Sequence, residues 1–155
     1  KTYSGGMKLR LLIAQALLGH PNVVFMDEPT AGLDPKERIR IRNLISEMAL
    51  GKIVLIATHI VSDVEYISKE ILLLKHGEII GSGNPESLEK ELYGIVYEKK
   101  VTVEQLKEIQ DKYLDAGIRE EGNQVVVRYL DSKSDEETTV WPTLDDVYLY
   151  HFYKE

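Results

Sequence analysis

Two short apolar runs, residues 23–26 and Ile53–Ala57, each end in polar residues and are separated by a stretch of helical period. Neither run alternates, so each reads as a strand covered on both faces within a parallel sheet. Pro35 opens the intervening helix, Ile39, Ile41, Leu44, Ile45 and Met48 recur along it, and Gly51 closes it. Strand, helix, strand is a βαβ unit, with a right-handed crossover and both carboxyl ends at one edge of the sheet. The residues just past the two strands therefore meet in one crevice. Asp27-Glu28 stands at the end of the first strand, and Thr58-His59 at the end of the second.

Those residue types suit phosphoryl transfer. One carboxylate holds Mg²⁺, often through water, and a second orients or deprotonates the attacking water. An imidazole in the same crevice hydrogen-bonds the transferring phosphoryl group. Read singly, each has a plainer role: a carboxylate at a strand end caps the next turn, and a histidine there is a loop residue. Upstream, Ser4-Gly5-Gly6-Met7 stands at the start of a helix over residues 7–18. Its glycines leave backbone N–H groups open at the positive end of the helix dipole, which suits an anion. Taken alone, the serine is a helix cap and the glycines a turn. The helix is apolar almost all round, through Leu9, Leu11, Leu12, Ile13, Leu17 and Leu18, which predicts burial on most sides.

Downstream, residues 62–68 read as a short helix. Residues 71–74 and 78–80 read as antiparallel strands joined by a tight turn at His76-Gly77. Gly81, Gly83 and Asn84-Pro85 mark a boundary, and a bridging helix spans 85–92. From Gly94 the pattern becomes a small α+β unit: a strand over 95–101, a helix, a strand over 124–130 and a last helix. Thr102 and Gln105 form a capping box, Val103, Leu106, Ile109 and Tyr113 form one face, and Gly117 ends that helix. Residues 131–139 are acidic and read as a solvated loop. Thr143 with Asp146 caps the closing helix. Tyr129, Trp141, Tyr148, Tyr150 and Phe152 are read as core. The domain division is 1–83, 84–93 for the linker helix, and 94–155.

Composition narrows the function. Nineteen basic against 26 acidic residues give a net charge of −7 with no dense Lys/Arg stripe, so nucleic acid is not an expected partner. The absence of cysteine excludes disulfides and thiolate metal sites. No apolar run reaches the roughly 20 residues of a membrane-spanning helix. The chain starts at Lys1, three residues before the glycine pair's serine, and is read as a piece of a longer protein.

Ser4-Gly5-Gly6-Met7, residues 23–34 ending Asp27-Glu28-Pro29-Thr30-Ala31-Gly32-Leu33-Asp34, and His59 resemble, in order, the second half of an ATP-binding-cassette ATPase. The likeness covers about residues 1–83. It implies an α/β fold: part of a P-loop NTPase-like parallel sheet with helices, followed by the small α+β accessory domain. It also implies that Ser4, Gly5, Gly6 and Met7 form the signature loop, which in the family grips the γ-phosphate of ATP held by the other subunit. Asp27 would be the magnesium-site aspartate, Glu28 the catalytic base, Asp34 the residue that communicates across the dimer, and His59 the switch histidine. Tyr3 stands for the family's usual leucine and Met7 for its usual glutamine; neither alters the backbone N–H groups.

No G-x-x-x-x-G-K-[ST] phosphate loop occurs in these 155 residues. The resemblance then implies ATP and Mg²⁺ as ligands of the full-length protein, and a chain that by itself neither binds nor hydrolyses ATP. Implied partners are a second nucleotide-binding subunit and a membrane-spanning transporter subunit, with a cytoplasmic location peripheral to the membrane. Thr143-Leu144-Asp145-Asp146-Val147-Tyr148-Leu149 is similar to the closing helix of drug- and polymer-export subunits, which implies an exporter. In the family the phosphate-loop strand lies beside the strands ending at Asp27 and His59, so this chain is expected to bare apolar surface and to self-associate. Two other readings stand: a non-transport ATPase of the same superfamily, and a regulatory or binding module acting through residues 94–155.

Overall fold

The computed structural model describes residues 3–131 and 139–153. Contacts divide the chain into two units, Lys1–Ser68 and Lys69–Glu155.

In the first unit, helix α1 (Gly5–Ala16) precedes strand β1 (Val23–Asp27), helix α2 (Pro35–Met48), strand β2 (Ile53–Ala57) and helix α3 (Val61–Ile67). The two strands pair in parallel and in register, from Val23 opposite Ile53 to Asp27 opposite Ala57, as a βαβ unit requires. Ile13 of α1, Val24 of β1 and Ile41, Ile45 and Met48 of α2 make the core, with Leu9, Leu17, Met26, Leu33, Leu44, Val54, Ile56 and Ile67 packed around it. Ile41 and Ile45 lie four apart on one stripe of α2, which is why this helix covers the sheet.

In this unit burial differs from the sequence expectation in two places. The strands are covered on one face only: Val24 is buried, whereas Phe25 is 76% exposed and Ile53 and Leu55 are also exposed. Alternation in the pleat puts these residues on the side opposite the α2-facing core, so the apolar runs have one buried and one open face. Helix α1 likewise buries only Gly6 and Ile13. Its Leu11 and Leu12 face outward, because one neighbouring helix and a two-stranded sheet cannot cover an all-apolar cylinder.

The second unit opens with a hairpin of β3 (Ile71–Lys75) and β4 (Glu78–Gly83). Its turn residues His76 and Gly77 have φ of 52° and 85°, the left-handed pair that matches strand twist. Gly81 and Gly83 lie inside β4, so the break falls at Asn84-Pro85, where the Asn84 side chain accepts from Ser87 N–H at 2.8 Å and starts helix α4 (Pro85–Glu91). Then come β5 (Val96–Val101), α5 (Val103–Lys112), β6 (Leu114–Glu121), β7 (Gln124–Leu130) and α6 (Leu144–Tyr153). The sheet order is β5-β7-β6, antiparallel throughout.

Strand β6 replaces the expected helix end at Gly117. Tyr113 is already extended, its ring 4.7 Å from that of Tyr129, and the chain turns into the sheet there with a bulge between Asp115 and Gly117. Thr102 N–H donates to Gln105 Oε1 at 3.1 Å, the backward half of the capping box. Leu106, Ile109 and Tyr113 pack on Tyr97, Val101, Val125, Val127 and Tyr129, but Val103 points to solvent. At the head of α6, the Asp146 carboxylate accepts from Thr143 N–H at 2.7 Å and from its hydroxyl at 2.9 Å. Arg128 of β7 grips the same carboxylate at 2.5 Å and Glu98 of β5 at 3.1 Å, tying α6 to the sheet. Of the aromatics read as core, Tyr129 is buried and Tyr148, Tyr150 and Phe152 are half-buried. Trp141 is exposed, 5.8 Å from the Tyr93 ring, because it lies before α6 and off its packed face. The acidic stretch of residues 132–138 lies outside the described residues.

Candidate phosphate-chemistry site at the ends of β1 and β2

Parallel register brings Asp27 opposite Ala57, so the next residues of the two segments are neighbours. Glu28 N–H donates to Ala57 O at 2.8 Å, carrying the ladder one step past β1. Glu28 then turns with φ of 45°, a conformation uncommon for a residue with a Cβ. That turn aims its carboxylate at the end of β2. Thr58 Oγ1 donates to Glu28 Oε2 at 2.8 Å, and His59 N–H donates to Oε1 at 3.1 Å. The ring nitrogen Nδ1 of His59 lies 2.5 Å from the same oxygen. A carboxylate only accepts, so this pairing places the ring proton on Nδ1 and leaves Nε2 for a second partner.

Partial burial by itself would raise the Glu28 pKa. The hydrogen bonds from Thr58 and His59 and the charge of His59 outweigh it and hold the carboxyl below its ordinary value. Glu28 is thus kept ionised, the form a general base needs. Asp27, at the carboxyl end of β1, is exposed. Beside it the carboxyl-terminal halves of the two strands form a shallow depression lined by Phe25, Met26, Leu55, Ile56 and Ala57. Among the described residues no three carboxylates or histidines converge as a metal cage. A single exposed carboxylate fits Mg²⁺, which keeps several waters and completes its shell with phosphate oxygens.

The turn after Glu28 is built by Ala31 N–H to Glu28 O at 3.2 Å, Leu33 N–H to Thr30 O at 3.3 Å, and Gly32 at φ of 70°. It delivers Asp34 as the cap of α2, its Oδ1 accepting from Lys36 N–H at 3.1 Å and Glu37 N–H at 3.0 Å. Asp34 therefore has one carboxylate oxygen engaged with its own helix. At the head of α1, Ser4 Oγ accepts from Met7 N–H at 3.3 Å, the capping role. Gly5 has open space, its nearest neighbour to a notional Cβ being Leu33 Cδ2 at 3.8 Å. Gly6 has none: a Cβ there would stand 2.5 Å from Glu37 Oε2. Residues 5–6 thus sit against Leu33 and Glu37, which flank Asp34.

The structure brings Glu28 and His59 into contact, and separately brings the Ser4-Gly5-Gly6 turn beside the Asp34 cap. Sequence reasoning missed Thr58 as a carboxylate partner, Glu37 under Gly6, and a buried pair between Thr30 and Asp63. Thr30 and Asp63 are 33 residues apart, and no local pattern marks such a contact.

The profile of the ABC transporter family matches residues 1–31, which hold the Ser4-Gly5-Gly6 turn and the strand ending in Asp27-Glu28. The ABC transporter A family member 8 of Dictyostelium discoideum is 36% identical over 110 residues, 71% of this chain and 13% of that protein. The chain carries part of an ATP-binding-cassette transporter ATPase. The uncharacterised ABC transporter ATP-binding protein YxlF of Bacillus subtilis is 38% identical over 89 residues, 57% of the chain and 30% of that protein. The Nod factor export ATP-binding protein I of Rhizobium johnstonii is 42% identical over 92 residues, 59% of the chain and 30% of that protein. The ATP-binding-cassette segment thus spans less than a third of the length of these relatives. Among its described residues no helix is long and apolar enough to cross a membrane.

Proposed function

We propose that this segment belongs to the ATP-hydrolysing subunit that powers a transporter, and that residues 1–83 are the C-terminal part of its nucleotide-binding domain. Residues 84–93 link this part to an accessory domain over 94–155. The observation that carries the reading is the Glu28–His59 pair, held at the adjoining carboxyl ends of two parallel strands with Asp27 beside it.

In the intact subunit Glu28 takes the proton of the water that attacks the γ-phosphoryl group, and His59 donates a hydrogen bond to the transferring group. Asp27 would hold Mg²⁺, which when bound would offset the negative charge of the phosphates. Ser4, Gly5, Gly6 and Met7 present backbone N–H groups to the γ-phosphate of ATP bound by a second copy, and Asp34 faces that copy. The subunit works in the cytoplasm against a membrane-spanning partner. The name of the Rhizobium relative and the 143–149 helix favour export.

Lacking the phosphate loop, the 155-residue chain neither binds ATP tightly nor hydrolyses it. The test is Glu28→Gln in the full-length subunit. Turnover falls by about 10²–10⁴-fold while ATP binding and dimer formation persist. Turnover near the wild-type rate overturns the assignment of the base.

A further inference from the structure

Asp63, on the first turn of α3, is 3% exposed, and Thr30 is 1% exposed. The Thr30 hydroxyl donates to Asp63 Oδ2 in a buried hydrogen bond. Arg42 of α2 places its guanidinium 3.4 Å from Asp63 Oδ1 and donates to Ser62 O at 3.2 Å. The same guanidinium lies 4.6 Å over the Tyr66 ring of α3. A buried carboxylate this close to the surface of a small unit is costly unless it is held in place. Helix α3 needs such an anchor. It spans seven residues, and its N-cap, Ile60, offers no side-chain hydrogen bond.

The bonds close a ring around the candidate site. Asp63 N–H donates to Ile60 O at 3.0 Å. Ile60 N–H donates to Thr58 Oγ1 at 3.1 Å, and that hydroxyl donates to Glu28 Oε2 at 2.8 Å. From Glu28 the chain returns to Thr30 in two residues, and Ala31 N–H bonds back to Glu28 O at 3.2 Å. Each bond in the ring therefore constrains the backbone on either side of His59. Thr30 lies in the turn that leads to Asp34, and Arg42 lies in the helix that Asp34 caps.

We propose that Thr30, Asp63 and Arg42 are positioning residues that clamp the His59 segment to the Glu28–Asp34 turn, so that the two segments move as one body. The clamp stands beside the Glu28–His59 pair and is not part of it. It acts through Thr58 and Ile60 on where His59 stands against Glu28. The consequence for turnover rests on the ATPase reading above; the geometric coupling does not.

Amide hydrogen exchange on the 155-residue chain tests the coupling, with Thr30→Val, which keeps the shape and removes the donor, and Thr30→Ser, which keeps the donor. In Thr30→Val the amides of His59 and Ile60 exchange at least about tenfold faster, while those around Ile41 and Ile45 of α2 keep their wild-type rates. Thr30→Ser restores protection. Unchanged exchange at His59 and Ile60 in folded Thr30→Val overturns the clamp. Equal acceleration through α2 also overturns it, because that is loss of general stability. Should Thr30→Val fail to fold, Arg42→Gln, at the outer end of the cluster, is read by the same two criteria. In the full-length subunit, Thr30→Val lowers kcat about tenfold and leaves KM for ATP within about twofold. A wild-type subunit without turnover removes the ATPase reading and leaves the exchange result standing. A normal kcat in Thr30→Val with loosened amides removes the catalytic consequence of the clamp.

Discussion

The backbone N–H and the ring Nδ1 of His59 converge on one oxygen of Glu28, at 3.1 and 2.5 Å. Both contacts favour the ionised carboxylate. Burial works the other way, yet the Thr58 and His59 contacts leave the Glu28 pKa below that of a free glutamate. A depressed carboxyl pKa means that the folded chain binds fewer protons than the unfolded one. Glu28 then contributes stability that is fully present above the ordinary glutamate pKa and is lost as pH falls through the depressed folded value. Replacing His59 by Ala removes the ring contact and raises the Glu28 pKa toward the ordinary value. A side-chain carboxyl carbon titration by NMR measures it, and an unmoved midpoint would show that the ring does not hold the carboxylate.

Gly5 and Gly6 are adjacent yet differ in what they tolerate. A Cβ on Gly6 meets the Glu37 carboxyl, with Oε2 at 2.5 Å and both Cγ and Cδ at 3.2 Å. That carboxyl cannot swing away freely, since Arg10 holds it at 3.3 Å and Arg40 bonds its other oxygen. Gly6→Ala should therefore cost about 1–3 kcal/mol in urea unfolding. Gly5→Ala, with Leu33 at 3.8 Å, should be neutral or stabilising by less than about 1 kcal/mol. If Gly5→Ala also lowers turnover in the full-length subunit, the open space at Gly5 serves a ligand and not the fold. A Gly6→Ala chain as stable as wild type would sink the packing account.

Asp146 and Arg128 carry the attachment of α6. Asp146 is buried, and Arg128 meets it with Nε at 3.0 Å and Nη2 at 2.5 Å while also donating to Trp141 O at 2.8 Å. Asp146→Ala strands a half-buried guanidinium and deletes the Thr143 cap. The expected loss is about 3–5 kcal/mol, read as a shift of the second unit's unfolding. Glu98→Gln is milder, below about 1 kcal/mol, because its other partner Arg119 is exposed. The Arg119 hydrogen bond holds the Glu98 carboxyl below its usual pKa against the opposing effect of burial, with Arg128 adding to it. This contribution is present above the ordinary glutamate pKa and fades as pH falls through the folded one. Equal losses in the two variants would contradict this ranking.

Several of these relationships are legible in the sequence. Apolar runs that end in Asp27-Glu28 and Thr58-His59 announce two parallel strands, and parallel register then makes the carboxylate and imidazole neighbours. Pro35 and Thr143 with Asp146 announce helix starts because these signals are local, and the structure adds Asp34 as the cap of the first. The features that stay hidden depend on partners distant in sequence. Strand β6 carries Asp115, Arg119, Glu120 and Glu121, a poor strand composition, and is held in the sheet by pairing with β7 across a bulge. Burial is hard to read for the same reason. The leucines of α1 and the apolar residues of β1 state a preference for being covered, but coverage depends on which elements lie against them. Asp63 has the sequence context of a solvated helix residue, and only the approach of Thr30 and Arg42 makes it a clamp.

The open face of the first unit's sheet leads to the remaining prediction. Phe25 is 76% exposed beside Ile53 and Leu55, and among the described residues β1 and β2 pair only with each other, so each has a free edge. Such a patch is uncommon on a stable monomer and is a ready site for association. Covering a Phe or Leu side chain is worth about 1.5–3 kcal/mol, which is about 10- to 150-fold in an association constant for each residue buried. The 155-residue chain should therefore show concentration-dependent self-association in sedimentation velocity. Phe25→Lys with Leu55→Lys places charge on that face without touching Ile41 or Ile45, and should move the chain toward monomer while its circular dichroism is unchanged. Leu72→Lys, on the second unit's hairpin, is the control and should leave association as it is. A monodisperse wild-type monomer at tens of micromolar would overturn the prediction. Association that the Phe25/Leu55 variant leaves intact would move the contact to another surface, with the exposed Leu11 and Leu12 face of α1 the next to be substituted.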